Sequence, residues 1–190
     1  MPSGAHYTRP VSTSAHHDHL RGEGHLPDEL YELVAASVPI LCVDLVPRFA
    51  SDPVRSYGLI SRRDHKGDAG WCWVGGRVWI EERLGEAAGR HLRQTLGAGV
   101  SMREPDWSHP DLVIDFERSE GVDRPHDPRK HSVSLAWVVD VEGEPEAQGE
   151  ATAIDRFGPD SLPPDSEFAF GLGPTIRRLV ATGAARNQEY

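Results

Sequence analysis

Glu82, Arg90, His91 and Gln94 stand close together in WCWVGGRVWIEERLGEAAGRHLRQTLG, residues 71–97, and their types suit the handling of an anionic ligand. Glu86, Arg90 and Gln94 recur at intervals of four, which places them on one face of a helix; Glu86 and Arg90 could equally form an ordinary surface ion pair. His91 can act as a general base if its pKa stays near neutrality, or simply pack against its neighbours. Upstream, GLISRR ends in Arg62 and Arg63, and a guanidinium fork matches phosphate oxygens in a bidentate way. Strand alternation sends these two arginines to opposite faces, so at most one enters any given pocket. Asp44 is the lone charge in the apolar run ILCVDLV, where a carboxylate is costly unless paired. It marks either a strand end at the sheet edge or a side chain facing a ligand.

The elements that must position these residues follow from periodicity. Leu26, Leu30, Leu33 and Val34 recur at helical spacing, with Pro27 suited to the first turn, and predict a short helix to about Ser37. Pro39 stops it and leads into the strand carrying Asp44. A second strand covers 57–63, followed by a turn-rich loop over 64–70. Gly75 and Gly76 predict a tight turn or a close backbone approach. Leu84, Ala87, Ala88, Leu92 and Leu96 form the apolar stripe of a helix over 82–96, with Gly97 placed to end it. Residues 98–110 read as irregular. Strands follow over 111–118, 131–142 and 151–157, and a closing helix begins near Pro174. Helices before, between and after the strands predict an α/β (α+β) fold with a mixed central sheet.

A chain of 190 residues is long enough to bury a core as one domain. Residues 1–25 carry five histidines and little apolar patterning, so they are expected to be a flexible His-rich segment that either drapes on a partner or captures a soft divalent ion. Residues 26–190 are expected to form the single folded domain. The formal charge of -10 argues against nucleic acid as the main partner, because phosphate backbones need clustered Lys and Arg. Cys42 and Cys72 lack metal-ligand spacing and read as reduced, buried small side chains. No apolar run is long enough to span a membrane, and the expectation is a soluble cytoplasmic protein.

From Gly76 the sequence runs five residues to Glu82, seven to Arg90 and six to Gly97. This spacing resembles the box of the Nudix hydrolases, in which the same four residue types frame a loop, a helix and a loop. The resemblance implies a Nudix-type α/β/α sandwich and a structural role for Gly76, Glu82, Arg90 and Gly97. In that family carboxylates that hold a divalent cation follow the arginine; here the matching positions are His91, Gln94 and Thr95. Mg2+ prefers octahedral oxygen coordination including carboxylates, so the standard site is missing from its usual place. LPDELYELVAASVPILCVDLV and WCWVGGRV look like the corresponding parts of the GDP-mannose mannosyl hydrolase group. That likeness implies that Asp44, Arg62 and Arg77 approach a nucleotide sugar and that Glu150 stands near a metal-binding position, weakly supporting Mg2+. It also implies a homodimer.

Three functions remain open at this point. One is hydrolysis of a nucleoside diphosphate derivative, a nucleotide sugar by preference, with His91 and Glu150 as catalytic candidates and Asp44, Arg62, Arg77, Arg90 and Gln94 as substrate-binding candidates. The second is a catalytically inactive Nudix-fold module that senses a small ligand, diphosphate-containing and nucleotide-like by preference or of another kind, within a larger assembly or alone. The third is a metal-independent enzyme with His91 as acid or base.

Overall fold

The structure is a computed structural model that describes residues 26–52, 55–64, 66–119 and 124–185. The His-rich segment 1–25 lies outside the described residues. In chain order the elements are α1 (Asp28–Ser37), β1 (Ile40–Phe49), β2 (Ser56–Arg63), β3 (Ala69–Cys72), β4 (Val74–Arg77), α2 (Leu84–Leu96), β5 (Ser101–Met102), β6 (Leu112–Phe116), β7 (Ser132–Glu142), β8 (Ala153–Phe157) and α3 (Gly173–Ala185). No helix among the described residues is long and apolar enough to cross a membrane.

The described strands join one mixed sheet built around β1. On one side β1 runs parallel to β7 over its whole length, from Ile40 opposite Ser132 to Phe49 opposite Val141. On the other side it changes partner: Cys42 to Leu45 pair with β4, and Arg48 and Phe49 pair with β2. Pro47, which has no N–H to give a ladder, falls at this change. The apolar run expected to end at Val46 therefore continues to Phe49 as strand.

The two long helices flank the sheet. Gly183 of α3 lies against Val138, which pairs with Val46, while His91 of α2 lies against Gly76, which pairs with Val43. Residues 43 and 46 are an odd number apart and face opposite sides of a strand. The result is the expected α/β/α sandwich with a mixed sheet. Its core includes Val43, Leu45, Leu59, Leu92, Leu96, Trp137, Ile176 and Leu179, all nearly inaccessible.

Three local expectations are corrected. Gly75 and Gly76 do not make a tight turn; both pair with β1 inside β4, opposite Asp44 and Val43. A Cβ on Gly75 would sit 2.3 Å from the Val43 carbonyl oxygen, so the glycine serves the close approach of two strands. Helix α2 begins at Leu84, because Glu82 stays outside it and turns its carboxylate back to the Trp79 N–H at 2.9 Å. The stretch expected to be irregular contains β5, two residues paired to the end of β7.

Because Val43 and Asp44 are fixed between two ladders, they cannot yield to an added methyl group at Gly75. Gly75→Ala is expected to cost about 2 kcal/mol or more of unfolding free energy. Chemical denaturation checks it, and an unchanged midpoint would show that β4 can move.

Candidate functional site

The box loop between β4 and α2 is held by polar contacts. Arg90 donates from Nε to Glu82 Oε1 and from Nη2 to Glu82 Oε2, each at 2.7 Å, and Nη2 also reaches the Arg77 carbonyl at 3.0 Å. The Arg90 guanidinium lies 3.8 Å from the centre of the Trp79 ring. Both side chains of the ion pair are only 12% exposed, so the pair is largely shielded from solvent. The Arg90 hydrogen bonds hold the Glu82 carboxyl below the usual carboxylate range. Glu86 does not pair with Arg90; its carboxylate accepts the Arg83 N–H at 2.8 Å and caps the start of α2. Gly97, with φ 83°, ends that helix in the left-handed region.

His91, the next residue on α2, sets Nε2 3.1 Å from the same Arg77 carbonyl. Since a carbonyl oxygen only accepts, Nε2 is the protonated nitrogen. Burial, reinforced by the Arg90 charge, holds the imidazole pKa down at about 4, so the ring is neutral at physiological pH. Gln94 and the buried Thr95 stand on the same side of α2.

These residues form one wall of a cleft of about 870 Å³, lined also by Tyr31, Arg62, Arg77, Arg129, Lys130 and Glu150. A smaller recess of about 70 Å³ opens beside it, with Asp44, Cys42, Ser132, Phe116 and Phe170 in its lining. Arg62, Gly75, Gly76, Arg129 and Lys130 border both. The two spaces therefore meet where β4 presents backbone without side chains.

The sequence-predicted residues come together around these spaces. Asp44 is 6% exposed and accepts a hydrogen bond from the Ser134 hydroxyl. Burial pushes its carboxyl up to about 7 against the opposing pull of that hydrogen bond and of the Lys130 and Arg62 charges. Arg62 turns into the cleft and donates from Nη1 to Glu150 Oε1 at 2.7 Å, whereas Arg63 turns away to the Gly67 carbonyl. Arg77 stacks on Tyr31, 4.1 Å from the ring centre. The thiols are buried, and burial raises Cys42 to about 11 and Cys72 further, so neither is a nucleophile at neutral pH.

Sequence reasoning did not single out Arg129, Lys130, Phe170, Tyr31 or Trp79. Arg129 clasps Asp127 through Nε and Nη2, both at 2.8 Å, and its charge sits 5.7 Å from the Phe170 ring. Phe170 holds φ 57°, a region that non-glycine residues seldom occupy, and Arg62 lies 5.4 Å from the same ring. The signal available in sequence was only the adjacency of two cations in a polar loop, DPRKH.

The donor set can be weighed against Mg2+, which takes oxygen ligands and usually one or two carboxylates. His91 and Gln94 offer a protonated ring nitrogen and a neutral amide, and Thr95 a buried hydroxyl. Asp127 and Glu150 are bonded to arginines, and Asp44 is near its protonation midpoint at neutral pH. Among the described residues, no three His, Cys, Asp or Glu side chains gather as a metal site. These residues do not fit a resident divalent ion.

Removing one partner of a shielded ion pair strands the other charge, so Arg90→Ala is expected to cost roughly 2–4 kcal/mol. The depressed Glu82 pKa gives stability that is present above the ordinary carboxylate pKa and lost as pH falls through the folded value, so the variant should also lose part of the acid-side dependence. Urea melts from pH 3 to 7 read both. The Asp44 pKa is instead raised, so its contribution is complete below the ordinary carboxylate range and disappears as pH rises through about 7. Asp44→Asn should therefore gain stability over the native chain at pH 8 relative to pH 5; parallel melting curves would contradict the buried charge.

Comparisons with known proteins agree with this architecture. No curated protein matches the chain. Among solved structures, the chain is similar to a protein from Jonesia denitrificans described as a possible asymmetric diadenosine tetraphosphate hydrolase. The two share 26% identity over 78% of this chain and 96% of that one, with a TM-score of 0.71. A UDP-X diphosphatase is 13% identical over 87% of this chain and 73% of that one, with a TM-score of 0.55. A NUDIX hydrolase from Nitrosomonas europaea is 16% identical over 77% and 73%, also with a TM-score of 0.55. Residues 22–182 match a family model. The chain thus has the Nudix fold and belongs to the family described as Domain of unknown function (DUF4916).

Proposed function

We propose that the cleft binds a nucleoside diphosphate derivative, with a nucleotide sugar as the preferred class. The observation that carries this reading is the charge of the cleft. Arg62, Arg77, Arg90, Arg129 and Lys130 line it, and the carboxylates Glu150, Glu82 and Asp127 pair with three of these five, so the cleft keeps an excess of positive charge in a chain whose formal charge is -10. Such local concentration of cations attracts a compact anion. Two of the similar structures are named for diadenosine tetraphosphate hydrolysis and for a UDP-X diphosphatase, and both names denote phosphate-linked nucleotides. The recess behind the cleft, with the Asp44 carboxyl and the Ser132 hydroxyl beside Trp73, Phe116 and Phe170 and its second carboxyl, Asp127, paired with Arg129, suits an uncharged polar group attached to the diphosphate.

In this reading Arg62, Arg129 and Lys130 receive phosphate charge, Arg77 and Gln94 border the ligand, and Asp44 meets its distal group. Arg90 and Glu82 brace the loop. His91, neutral and bonded to the Arg77 carbonyl, supports the same loop. The substitution of His91, Gln94 and Thr95 for the family carboxylates supports a box adapted for binding, and the likeness to the GDP-mannose mannosyl hydrolase group supports the nucleotide-sugar class. The proposal keeps residues 26–190 as one domain in the cytoplasm, with pairing of two copies to be read from its mass in solution.

Hydrolysis is the second reading, favoured by the names of the structural neighbours and by Glu150 in the cleft wall, which could hold a metal carried in by the substrate. Thermal unfolding of the full chain with ADP, UDP-glucose, GDP-mannose and diadenosine tetraphosphate, each with Mg2+ and with EDTA, tests both. A ligand present at 100 times its Kd should add about 2.7 kcal/mol of stability. Stabilisation by the diphosphates but not by the free nucleosides is expected, and no stabilisation by any of them would overturn the binding proposal. Mg2+-dependent cleavage of the phosphoanhydride or of the sugar–phosphate bond would establish the hydrolase instead.

A further inference from the structure

We infer that Glu150 is an internal counter-anion, which a ligand's phosphate displaces from Arg62 without a resident divalent cation. This inference rests on the reading of the cleft as a diphosphate site.

Arg62 is under-used where it stands. A guanidinium carries five N–H donors, yet the hydrogen bond that the described residues give this one is from Nη1 to Glu150 Oε1. Its Nε is buried and without a partner. A buried donor left unsatisfied is costly, and among the described residues the single bond to Glu150 is what answers the Arg62 charge. Nearby, Arg129 spends Nε and Nη2 on Asp127, while Lys130 borders both the cleft and the recess.

Of the ion pairs at the cleft, the Arg62–Glu150 pair is the one built to exchange. The Glu82–Arg90 and Asp127–Arg129 pairs are each bidentate, and their carboxylate side chains are 12% and 6% exposed. The Arg62–Glu150 pair has one short contact and a carboxylate side chain 43% exposed. Exposed single-contact pairs contribute little and open readily. The chain around Glu150 is pinned through its backbone, by Gln148 N–H to the Thr95 carbonyl and Ala151 N–H to the Gln148 carbonyl. The side chain can therefore swing away without unfolding its loop.

The same contact argues against Glu150 as a metal ligand. A cation binding this carboxylate would face the Arg62 charge about one hydrogen-bond length from the ligating group, and like charges at that distance repel. A dianionic phosphate replaces the carboxylate at Nη1 and can bond Nη2 as well, at the same end of the guanidinium.

Isothermal titration of the full chain and its Glu150→Gln variant with inorganic pyrophosphate and with ADP, in EDTA and in Mg2+, tests the inference. Binding in EDTA is expected for both proteins, and the variant should bind roughly three- to tenfold tighter because the internal competitor is gone. Glu150→Ala serves as a second variant, and the unliganded melting temperature of each verifies its fold. Binding that requires Mg2+, or variants that bind equally or more weakly while folded, would overturn the inference and leave the cleft reading intact. Absence of binding by every protein under both conditions would overturn the two together.

Discussion

The double hydrogen bond between Arg90 and Glu82 fixes the loop that forms one wall of the cleft, and little else in that loop could. Between β4 and α2 the backbone makes few bonds of its own: Val78 N–H reaches the Leu41 carbonyl and Glu82 N–H the Trp79 carbonyl. The remaining order comes from side chains that converge on Arg90. Glu82 neutralises it, Trp79 lies along its plane, and the Arg77 carbonyl receives both Arg90 and His91. One consequence is a division of labour among the cleft cations. Arg90 is satisfied and neutralised internally and braces the loop, whereas Arg62 is held by a single contact to an exposed carboxylate.

The brace was legible in the sequence because it depends on spacing. The glycine, glutamate, arginine and glycine intervals resemble the Nudix box, and that resemblance implied the brace, although Glu82 was expected within the helix and stands ahead of it. Alternation likewise separated Arg62 from Arg63. Other features were not legible, for reasons specific to each. The double glycine reads alike in a turn and at a strand contact, and only the position of β1 distinguishes the two. Asp44 lay in an apolar run whose partner, Ser134, is ninety residues away and brought alongside by the parallel pairing of β1 and β7. Arg129, Lys130 and Phe170 come from a polar loop and a short turn without periodicity. Their convergence follows from the closure of the sheet and from a left-handed Phe170, neither of which leaves a local pattern.

The double glycine also explains how one site can have two chemically different halves. Side chains at Gly75 and Gly76 would project to opposite sides of the sheet, one onto Asp44 and the other onto His91. Without them, the charged cleft beside α2 and the small recess at Asp44 share a border. A ligand with an anionic middle and an uncharged polar end matches that sequence of environments. A ligand made of charge alone would leave the Asp44 side of the site unused.

Charge on two length scales decides what can enter. At physiological ionic strength the Debye length is about 8 Å, so exposed acidic groups beyond that distance are largely screened from a small ligand inside the cleft. Such a ligand meets mainly the arginines and Lys130. A long polyanion extends past the cleft and must lie against a surface whose chain carries 30 acidic and 20 basic residues. Nucleic acid binding draws its affinity from many phosphate contacts to clustered Lys and Arg, and the acidic excess of this chain works against such contacts. In the proposed reading the cleft suits one compact diphosphate, and the acidic excess of the chain disfavours long polyanions.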